Sequence, residues 1–207
     1  MKTPITLLLL PLITLIIPAT HVSPAPHIPT PHPQTTHSPG HPQTTKATQL
    51  ASIYTAEIGI REATGNNDGS RVEEYLHYVK LKRGDPWCAA FVCWALGKAG
   101  LPNPRSGYCP ALFPRSRIVW QRSRHAATKT PQNTPARGDV FGIWFASKGR
   151  IAHAGFVEEW GSTYVITVEG NTNESGSREG DGVYKKRRLQ TSLYQVARYA
   201  DQNTPNT

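Results

Sequence analysis

The N-terminal part of this chain lacks cysteine, aromatic residues and acidic residues. Residues 1–46 contain no Cys, Trp, Tyr or Phe, and no acidic residue occurs before Glu57. The same stretch holds 10 of the 18 prolines and five of the eight histidines. All Cys, Trp, Tyr and Phe residues lie within residues 47–207, which is enough chain for one ordinary core. We therefore predict one folded domain over residues 47–201, followed by a short tail over residues 202–207.

A long hydrophobic run is also missing. Residues 5–17 form an apolar run of 13 residues, whereas a membrane-spanning helix needs about 20. Lys2 precedes the run and the small residue Ala19 follows it, which is typical of a secretory signal. We predict a signal peptide over residues 1–21, with a retained N-terminal anchor as the alternative. The predicted location is therefore secreted, periplasmic or in the cell envelope.

Residues 22–46 are predicted to be an extended linker. His-Pro, Pro-Thr and Ser-Pro steps dominate it, and large apolar residues are almost absent. Such a sequence favours a solvated, polyproline-like chain that could reach roughly 70–80 Å when fully stretched. Its scattered histidines have no fixed geometry on a chain of this kind, so we interpret them as low complexity and not as a metal site.

The folded part places helices before strands. Apolar spacing predicts a helix over residues 46–60, a second helix begun by a capping-box pattern from Ser70 to Glu73, and a third that begins at Asp85 and ends at Gly100. A further short helix is predicted over residues 117–125. Runs rich in β-branched and aromatic residues predict strands over residues 140–146, 151–160, 163–169, 183–189 and 194–199. Helices followed by antiparallel strands indicate an α+β fold.

The third helix carries a cysteine in its first turn. Asp85 is a suitable N-cap and Pro86 suits the first helical position, which places Cys88 third. Unpaired backbone N–H groups and the positive end of the helix dipole favour a thiolate there over a thiol. Because a thiolate is a nucleophile, Cys88 is the candidate catalytic residue.

Two residues on neighbouring predicted strands could complete a catalytic arrangement. His153 has small neighbours on its strand, which leaves room for a substrate or another chain segment; the alternative is a core histidine bonded to a backbone carbonyl. Glu169 follows 16 residues later, the distance expected for a hairpin partner, and could orient the imidazole. An ordinary strand-end charge is the alternative for Glu169.

Together these motifs resemble the CHAP family, the cysteine- and histidine-dependent amidohydrolase/peptidase domains, which are papain-like and related to NlpC-type cell-wall peptidases. The resemblance covers roughly residues 50–199. The segments that carry it are Glu-Ile-Gly-Ile-Arg-Glu at 57–62, Gly-Asn-Asn at 65–67, Pro-Trp-Cys-Ala-Ala-Phe-Val at 86–92, Arg-Gly-Asp-Val at 137–140, Ala-His-Ala-Gly-Phe at 152–156 and Val-Glu-Gly-Asn at 168–171.

The resemblance implies a papain-like α+β fold in which N-terminal helices, with the nucleophile at a helix start, pack on a small antiparallel sheet. It implies Cys88 as the nucleophile, His153 as the general base and Glu169 as the group that orients His153. Asn171 is then a second polar contact or the true third member of the site. The backbone N–H of Cys88 is expected to contribute to an oxyanion hole.

Three further residues are expected to contact the substrate. Asn66 and Asn67 are candidates for the second oxyanion-hole donor, and Trp87 is expected to line the groove. Some family members carry an Asp-rich calcium loop just before the cysteine, but residues 81–85 here are Leu-Lys-Arg-Gly-Asp, which is basic. We therefore predict no metal and no cofactor.

The resemblance also implies a substrate. The expected reaction is cleavage of peptidoglycan, as an N-acetylmuramoyl-L-alanine amidase or an endopeptidase, through an acyl-enzyme on Cys88. The formal charge of +9 could attract anionic wall polymers, although the basic clusters could equally be solvated faces. No nucleic-acid fold motif accompanies them, so no specific nucleic-acid partner is expected. The oligomeric state stays open.

Rival interpretations remain at this point. The domain could be a non-catalytic wall-binding or assembly module, or a secreted antibacterial toxin amidase. Three cysteines are an odd number for an exported protein. If Cys88 is free, Cys93 and Cys109 could form a disulfide, and the alternative is that Cys93 is buried as a plain apolar residue.

Overall fold

The computed structural model describes residues 45–122, 133–174 and 180–201. The predicted signal peptide, residues 22–44 of the predicted linker, and the tail lie outside the described residues. In the described part of the chain, three α-helices precede a six-stranded antiparallel sheet. This architecture agrees with the predicted α+β class.

The helices are α1 (Lys46–Ala56), α2 (Ser70–Tyr78) and α3 (Cys88–Lys98). Helix α1 begins where the Thr45 hydroxyl accepts a hydrogen bond from the Thr48 N–H at 3.2 Å, and it ends earlier than the predicted residue 60. The predicted capping box is only half formed, because Glu73 accepts a backbone N–H but no side chain caps the start of α2 in return. Gly69, with φ of 104°, is the N-cap of α2, and its N–H donates to Glu73 Oε1 at 3.3 Å.

The strands are β1 (Ile118–Gln121), β2 (Val140–Phe145), β3 (Arg150–Trp160), β4 (Tyr164–Thr172), β5 (Gly182–Leu189) and β6 (Gln195–Ala197). They form one sheet in the order β1-β6-β2-β3-β4-β5. All five predicted strands are present within a few residues of their expected ends. The helix predicted over residues 117–125 is wrong for its described part, because residues 118–121 form a strand that pairs with β6.

The missed strand β1 has a physical explanation. Its Ile-Val-Trp sequence has high strand propensity, but it is only four residues long. Trp120 packs edge-on against Trp160, with ring centroids 5.2 Å apart. That long-range contact and the pairing with β6 stabilise a strand too short to be recognised from the sequence.

Helix α3 lies at the centre of the main core. Every residue from Cys88 to Leu96 is buried, and α3 contacts α1, α2, β3 and β4. A Cβ atom at Gly170 of β4 would lie 2.6 Å from the Trp87 ring and 3.0 Å from Phe91. Glycine at this position therefore allows the start of α3 to lie directly against β4, which brings the cysteine to the sheet.

A second, smaller core lies on the other side of the sheet. Phe156 belongs to the core around α3, whereas its neighbour Val157 packs with Phe141, Val165 and Leu193. This division follows from the alternation of side chains along a strand. Among the described residues, no helix is long and apolar enough to cross a membrane.

Candidate active site

The start of α3 differs in register from the prediction. Trp87 is the N-cap, its carbonyl accepts the Phe91 N–H at 2.8 Å, and Cys88 is the first helical residue, not the third. Asp85 does not cap the helix, because its Oδ2 accepts the Lys82 N–H at 2.9 Å in a turn of its own. The cysteine still lies at the helix N-terminus, where unpaired N–H groups and the helix dipole stabilise a thiolate.

His153 lies in β3 beside this cysteine. The imidazole is 2% exposed, and its Nε2 lies 2.8 Å from Glu169 Oε2. The other ring nitrogen, Nδ1, is buried and lacks a well-formed hydrogen bond among the described residues. Because Glu169 occupies Nε2, Nδ1 is the ring atom left to exchange a proton with the Cys88 thiol or a substrate.

The two groups shift each other's ionisation in opposite directions. The pKa of Cys88 is held well below its usual range by a hydrogen bond from Cys109 and by the hydrogen bond and charge of His153, although burial opposes this. Burial by itself lowers the pKa of His153, but interactions with Cys88 and Glu169 outweigh it and raise the pKa to about 9. Both directions favour a thiolate–imidazolium pair.

Glu169 is held by a second charged residue that the sequence analysis missed. It is fully buried, and its two carboxylate oxygens accept hydrogen bonds from Arg188 Nε and Nη2, both at 2.5 Å. The Thr167 hydroxyl donates to Oε1 at 2.5 Å. Burial raises the pKa of Glu169, but Arg188 and His153 more than compensate and hold it well below its ordinary value. The carboxylate is therefore ionised and oriented toward the imidazole.

Arg188 lies in the basic run of β5, where the sequence offered two interpretations. Alternation along the strand places Lys186 and Arg188 on one side and Lys185 and Arg187 on the other, and the second pair is the exposed one. The alternation was visible in the sequence. Which side would meet Glu169 depended on the pairing of β5 with β4.

Asn171 is near the site but does not contact His153. Its Oδ1 accepts the backbone N–H of Trp87 at 3.2 Å, and its Nδ2 donates to Asn67 Oδ1 at 2.8 Å and to the Gly180 carbonyl at 3.1 Å. Its φ is 54°, a left-handed conformation that asparagine tolerates. Asn171 thus joins the start of α3 to two loops, and Glu169 is the imidazole partner.

The three predicted substrate contacts lie elsewhere. Trp87 is 0% exposed, and its indole N–H donates to Glu62 Oε1 at 2.8 Å, so it supports the site from inside the core and does not line a groove. Asn66 donates to the Thr64 hydroxyl at 2.9 Å within its own loop. Asn66 and Asn67 line a pocket that does not include Cys88.

A groove of about 490 Å³ opens at the nucleophile. Its wall combines apolar side chains with the guanidinium groups of Arg105 and Arg150, which lie over the rings of Tyr78 and Tyr108 at 4.5 and 5.1 Å. Its lining residues are Val79, Leu81, Asp85, Pro86, Cys88, Arg105, Ser106, Gly107, Tyr108, Cys109, Arg150 and Ala152. The segment 105–109 was hard to interpret from the sequence, and it supplies most of one wall.

Of the two alternatives left open for Cys93, the structure has the buried free cysteine and not a disulfide with Cys109, because all three cysteines are free. Cys93 donates to the Ser106 carbonyl at 3.5 Å, and burial raises its pKa to about 11. Cys109 instead lies against Cys88, with the two Sγ atoms 3.6 Å apart. Among the described residues, no group of three or more His, Cys, Asp or Glu side chains is placed to hold a metal ion.

Comparison with known proteins gives one finding. Residues 80–171 match the model of the CHAP domain family, which is the family that the sequence motifs resemble. The matched segment contains Cys88, His153 and Glu169, whereas α1, α2 and the strand that carries Arg188 lie outside it. No curated protein and no solved structure matches the chain.

Proposed function

Since residues 80–171 match the CHAP domain family, and that family implies amidase- or peptidase-type hydrolysis, we propose that this chain is an exported cysteine hydrolase of peptidoglycan. The bond cut is an amide, either between sugar and peptide or within the peptide. The observation that carries the proposal is the buried array in which Cys88 neighbours His153 and Glu169 holds the far nitrogen of the ring.

The chemistry follows from this array. The Cys88 thiolate attacks the amide carbonyl, and the backbone N–H groups at the start of α3 stabilise the oxyanion. The His153 imidazolium then protonates the leaving amine from Nδ1, which yields the acyl-enzyme and a neutral imidazole. Neutral His153 deprotonates a water molecule, which attacks the thioester, releases the acid and regenerates the thiolate. Throughout, Glu169 keeps Nε2 protonated and stabilises the imidazolium.

The groove beside Cys88 supports a peptide substrate that carries carboxylates. Arg105 and Arg150 lie in its wall, and no carboxylate pairs with either guanidinium among the described residues. Guanidinium groups recognise carboxylates bidentately, and peptidoglycan stems carry free carboxylates. The apolar run before a Pro-rich stretch supports export, and the formal charge of +9 supports attraction to anionic wall polymers.

Digestion of purified peptidoglycan tests the proposal. The reduced protein should release soluble fragments whose masses identify either freed stem peptides or new amino termini from cut cross-links. The same protein treated with iodoacetamide should release none, because alkylation blocks the thiolate. Tight binding to sacculi without any fragment from the reduced protein would contradict the proposal and favour a wall-binding module. A toxin amidase would give the same fragments, and growth assays on competing bacteria would identify it.

The pH dependence provides a separate prediction. Because the pKa of Cys88 is lowered and that of His153 is raised to about 9, the ion pair should already exist below the ordinary thiol pKa of about 8.5 and persist up to about pH 9. Hydrolysis should then fall as pH rises through about 9, when the imidazolium loses the proton that it gives to the amine. Alkylation of Cys88 by iodoacetamide should already be fast below the ordinary thiol pKa of about 8.5.

The variant His153→Ala tests whether His153 is what makes Cys88 reactive below the ordinary thiol pKa. Without the imidazolium, the alkylation of Cys88 should shift to higher pH, and His77→Ala, which changes a histidine outside the site on α2, should leave the profile unchanged. If wild type and His153→Ala gave identical alkylation profiles, the thiolate–imidazolium pair would not exist.

A further inference from the structure

A second thiol lies against the proposed nucleophile. The Sγ atoms of Cys88 and Cys109 are 3.6 Å apart, and the two residues are only 5% and 4% exposed. Cys88 begins helix α3, and Cys109 begins the 3₁₀ turn Cys109–Leu112, 21 residues later. Both line the groove described above. A small reagent that enters the groove therefore meets both sulfur atoms.

We propose that Cys88 and Cys109 form a reversible disulfide when a low-molecular-weight disulfide enters the groove, which makes this pair a modification site. Bond formation requires the sulfur atoms to approach from 3.6 Å to about 2.0 Å. Cys109 lies in a short turn that lines the groove and not in a long helix or a strand, so this approach does not require the sheet to move. The consequence for activity rests on the proposed function, because the disulfide removes the nucleophile.

The ionisation states of Cys88 and Cys109 determine which of the two attacks the small disulfide first. The pKa of Cys88 is lowered, and that of Cys109 is raised because its hydrogen bond to Cys88, and then its burial, favour the protonated thiol. Cys88 is therefore the thiolate, and Cys109 holds the proton between them. Since thiolates attack disulfides and thiols do not, Cys88 reacts first.

The exchange balances without any other reagent. The Cys88 thiolate attacks one sulfur of the small disulfide RSSR, forms a Cys88–SR bond and releases RS⁻. The released RS⁻ takes the proton of Cys109, and the Cys109 thiolate attacks the Cys88 sulfur and expels the second RS⁻. Both protein sulfurs are oxidised by one electron each, and RSSR is reduced to one thiol RSH and one thiolate RS⁻. An excess of a reducing thiol runs the same steps backwards.

Cys93 is the matched control within the same chain. It is buried five residues further along α3, and its thiol donates to the Ser106 carbonyl. Burial raises the pKa of Cys93 to about 11, so it is a thiol and not a thiolate near neutral pH. A serine at this position keeps a donor for the Ser106 carbonyl. The variant Cys93→Ser should therefore fold and behave as the wild type.

The test is peptide mapping of the full chain. Protein is equilibrated in mixtures of reduced and oxidised glutathione, quenched with N-ethylmaleimide and digested with trypsin. Cys88 and Cys93 share the tryptic peptide 84–98, and Cys109 lies in peptide 106–115, so Cys93→Ser makes the assignment unique. We expect a peptide that links 84–98 to 106–115 in wild type and in Cys93→Ser. Dithiothreitol should separate the linked peptide into its two parts. The release of peptidoglycan fragments should be lost when the link forms and regained when it is reduced.

Cys109→Ser should instead stop at the glutathione adduct on Cys88 and give no linked peptide. An adduct on Cys88 without any linked peptide in Cys93→Ser would overturn the proposal, as would a link from Cys93 to Cys109 in Cys88→Ser. If Cys109→Ser does not fold, the peptide map of Cys93→Ser still shows whether Cys88 and Cys109 form the disulfide. Because linkage is measured by mass, a protein that forms the disulfide but releases no peptidoglycan fragments when reduced would contradict the proposed function and not this inference.

Discussion

Replacing Cys88 with Ala should lower kcat/KM on peptidoglycan by a factor of about 10⁴ or more. The reason is that the acyl-enzyme cannot form without the sulfur, so His153 and Glu169 have no nucleophile to activate. The residual rate should come only from substrate binding and the backbone N–H groups at the start of α3. Release of soluble fragments, followed over time by mass spectrometry, gives the rate.

The control for this variant is Cys93→Ser, which changes a buried cysteine of the same helix away from the groove. Its rate should stay close to that of wild type, and thermal melts of both variants should show cooperative unfolding. A Cys88→Ala protein that kept more than about a tenth of the wild-type rate would show that another group is the nucleophile.

The second large effect is expected at Arg188. Replacing it with Met should lower the free energy of unfolding by about 3–5 kcal/mol, since removal of one partner leaves a buried charge uncompensated. Glu169 is 0% exposed, and the Arg188 side chain is 16% exposed, so water cannot replace the guanidinium. Urea denaturation at neutral pH measures the change.

The sign of the pH dependence follows from the lowered pKa of Glu169. A carboxyl whose folded-state pKa is depressed contributes stability above its unfolded value, near 4.3, and loses it as the pH falls toward the folded-state value. Arg188→Met loses part of that contribution. The gap between wild type and variant should therefore be widest near neutral pH and should narrow as the pH falls below about 4.

Arg187→Met is the matched control. Arg187 is the exposed neighbour of Arg188, and its guanidinium lies 4.4 Å from the centroid of the Tyr164 ring. Its effect should stay within about 0.5 kcal/mol. Equal losses in the two variants would mean that general charge or packing of β5, and not the ion pair with Glu169, causes the effect. Activity should fall in Arg188→Met alone, since only there does Glu169 lose its orientation.

The proposed amide hydrolysis and the proposed disulfide with Cys109 both depend on the Cys88 thiolate. The thiolate that attacks an amide carbonyl is the same group that would attack a small disulfide, and Cys109 contributes to both, because it donates the hydrogen bond that is the largest cause of the lowered Cys88 pKa. An exported hydrolase with this pair would lose activity where small disulfides predominate and regain it where reducing thiols predominate. This consequence rests on the proposed export and the proposed nucleophile.

Local sequence signals were sufficient for most of the fold. Helical spacing and β-branched runs located three helices and five strands, because each of those segments is long enough for its own pattern to be visible. They failed for β1, whose four residues are stabilised by pairing with β6. They also misplaced the start of α3 by two residues, because Asp85 is used in a separate turn and Asn171 takes the Trp87 N–H.

The sequence by itself determined that Cys88 lies in the first turn of a helix, that His153 and Glu169 lie on adjacent strands, and that the motifs around them resemble those of the CHAP family. These features depend on residues close together in the chain or one hairpin apart. Only the tertiary structure decided that Glu169 and not Asn171 meets the imidazole, that Arg188 neutralises the buried carboxylate, and that Cys109 lies beside Cys88. Those contacts join segments whose pairing is set by strand register and by the packing of α3 on β4, and no local pattern encodes them.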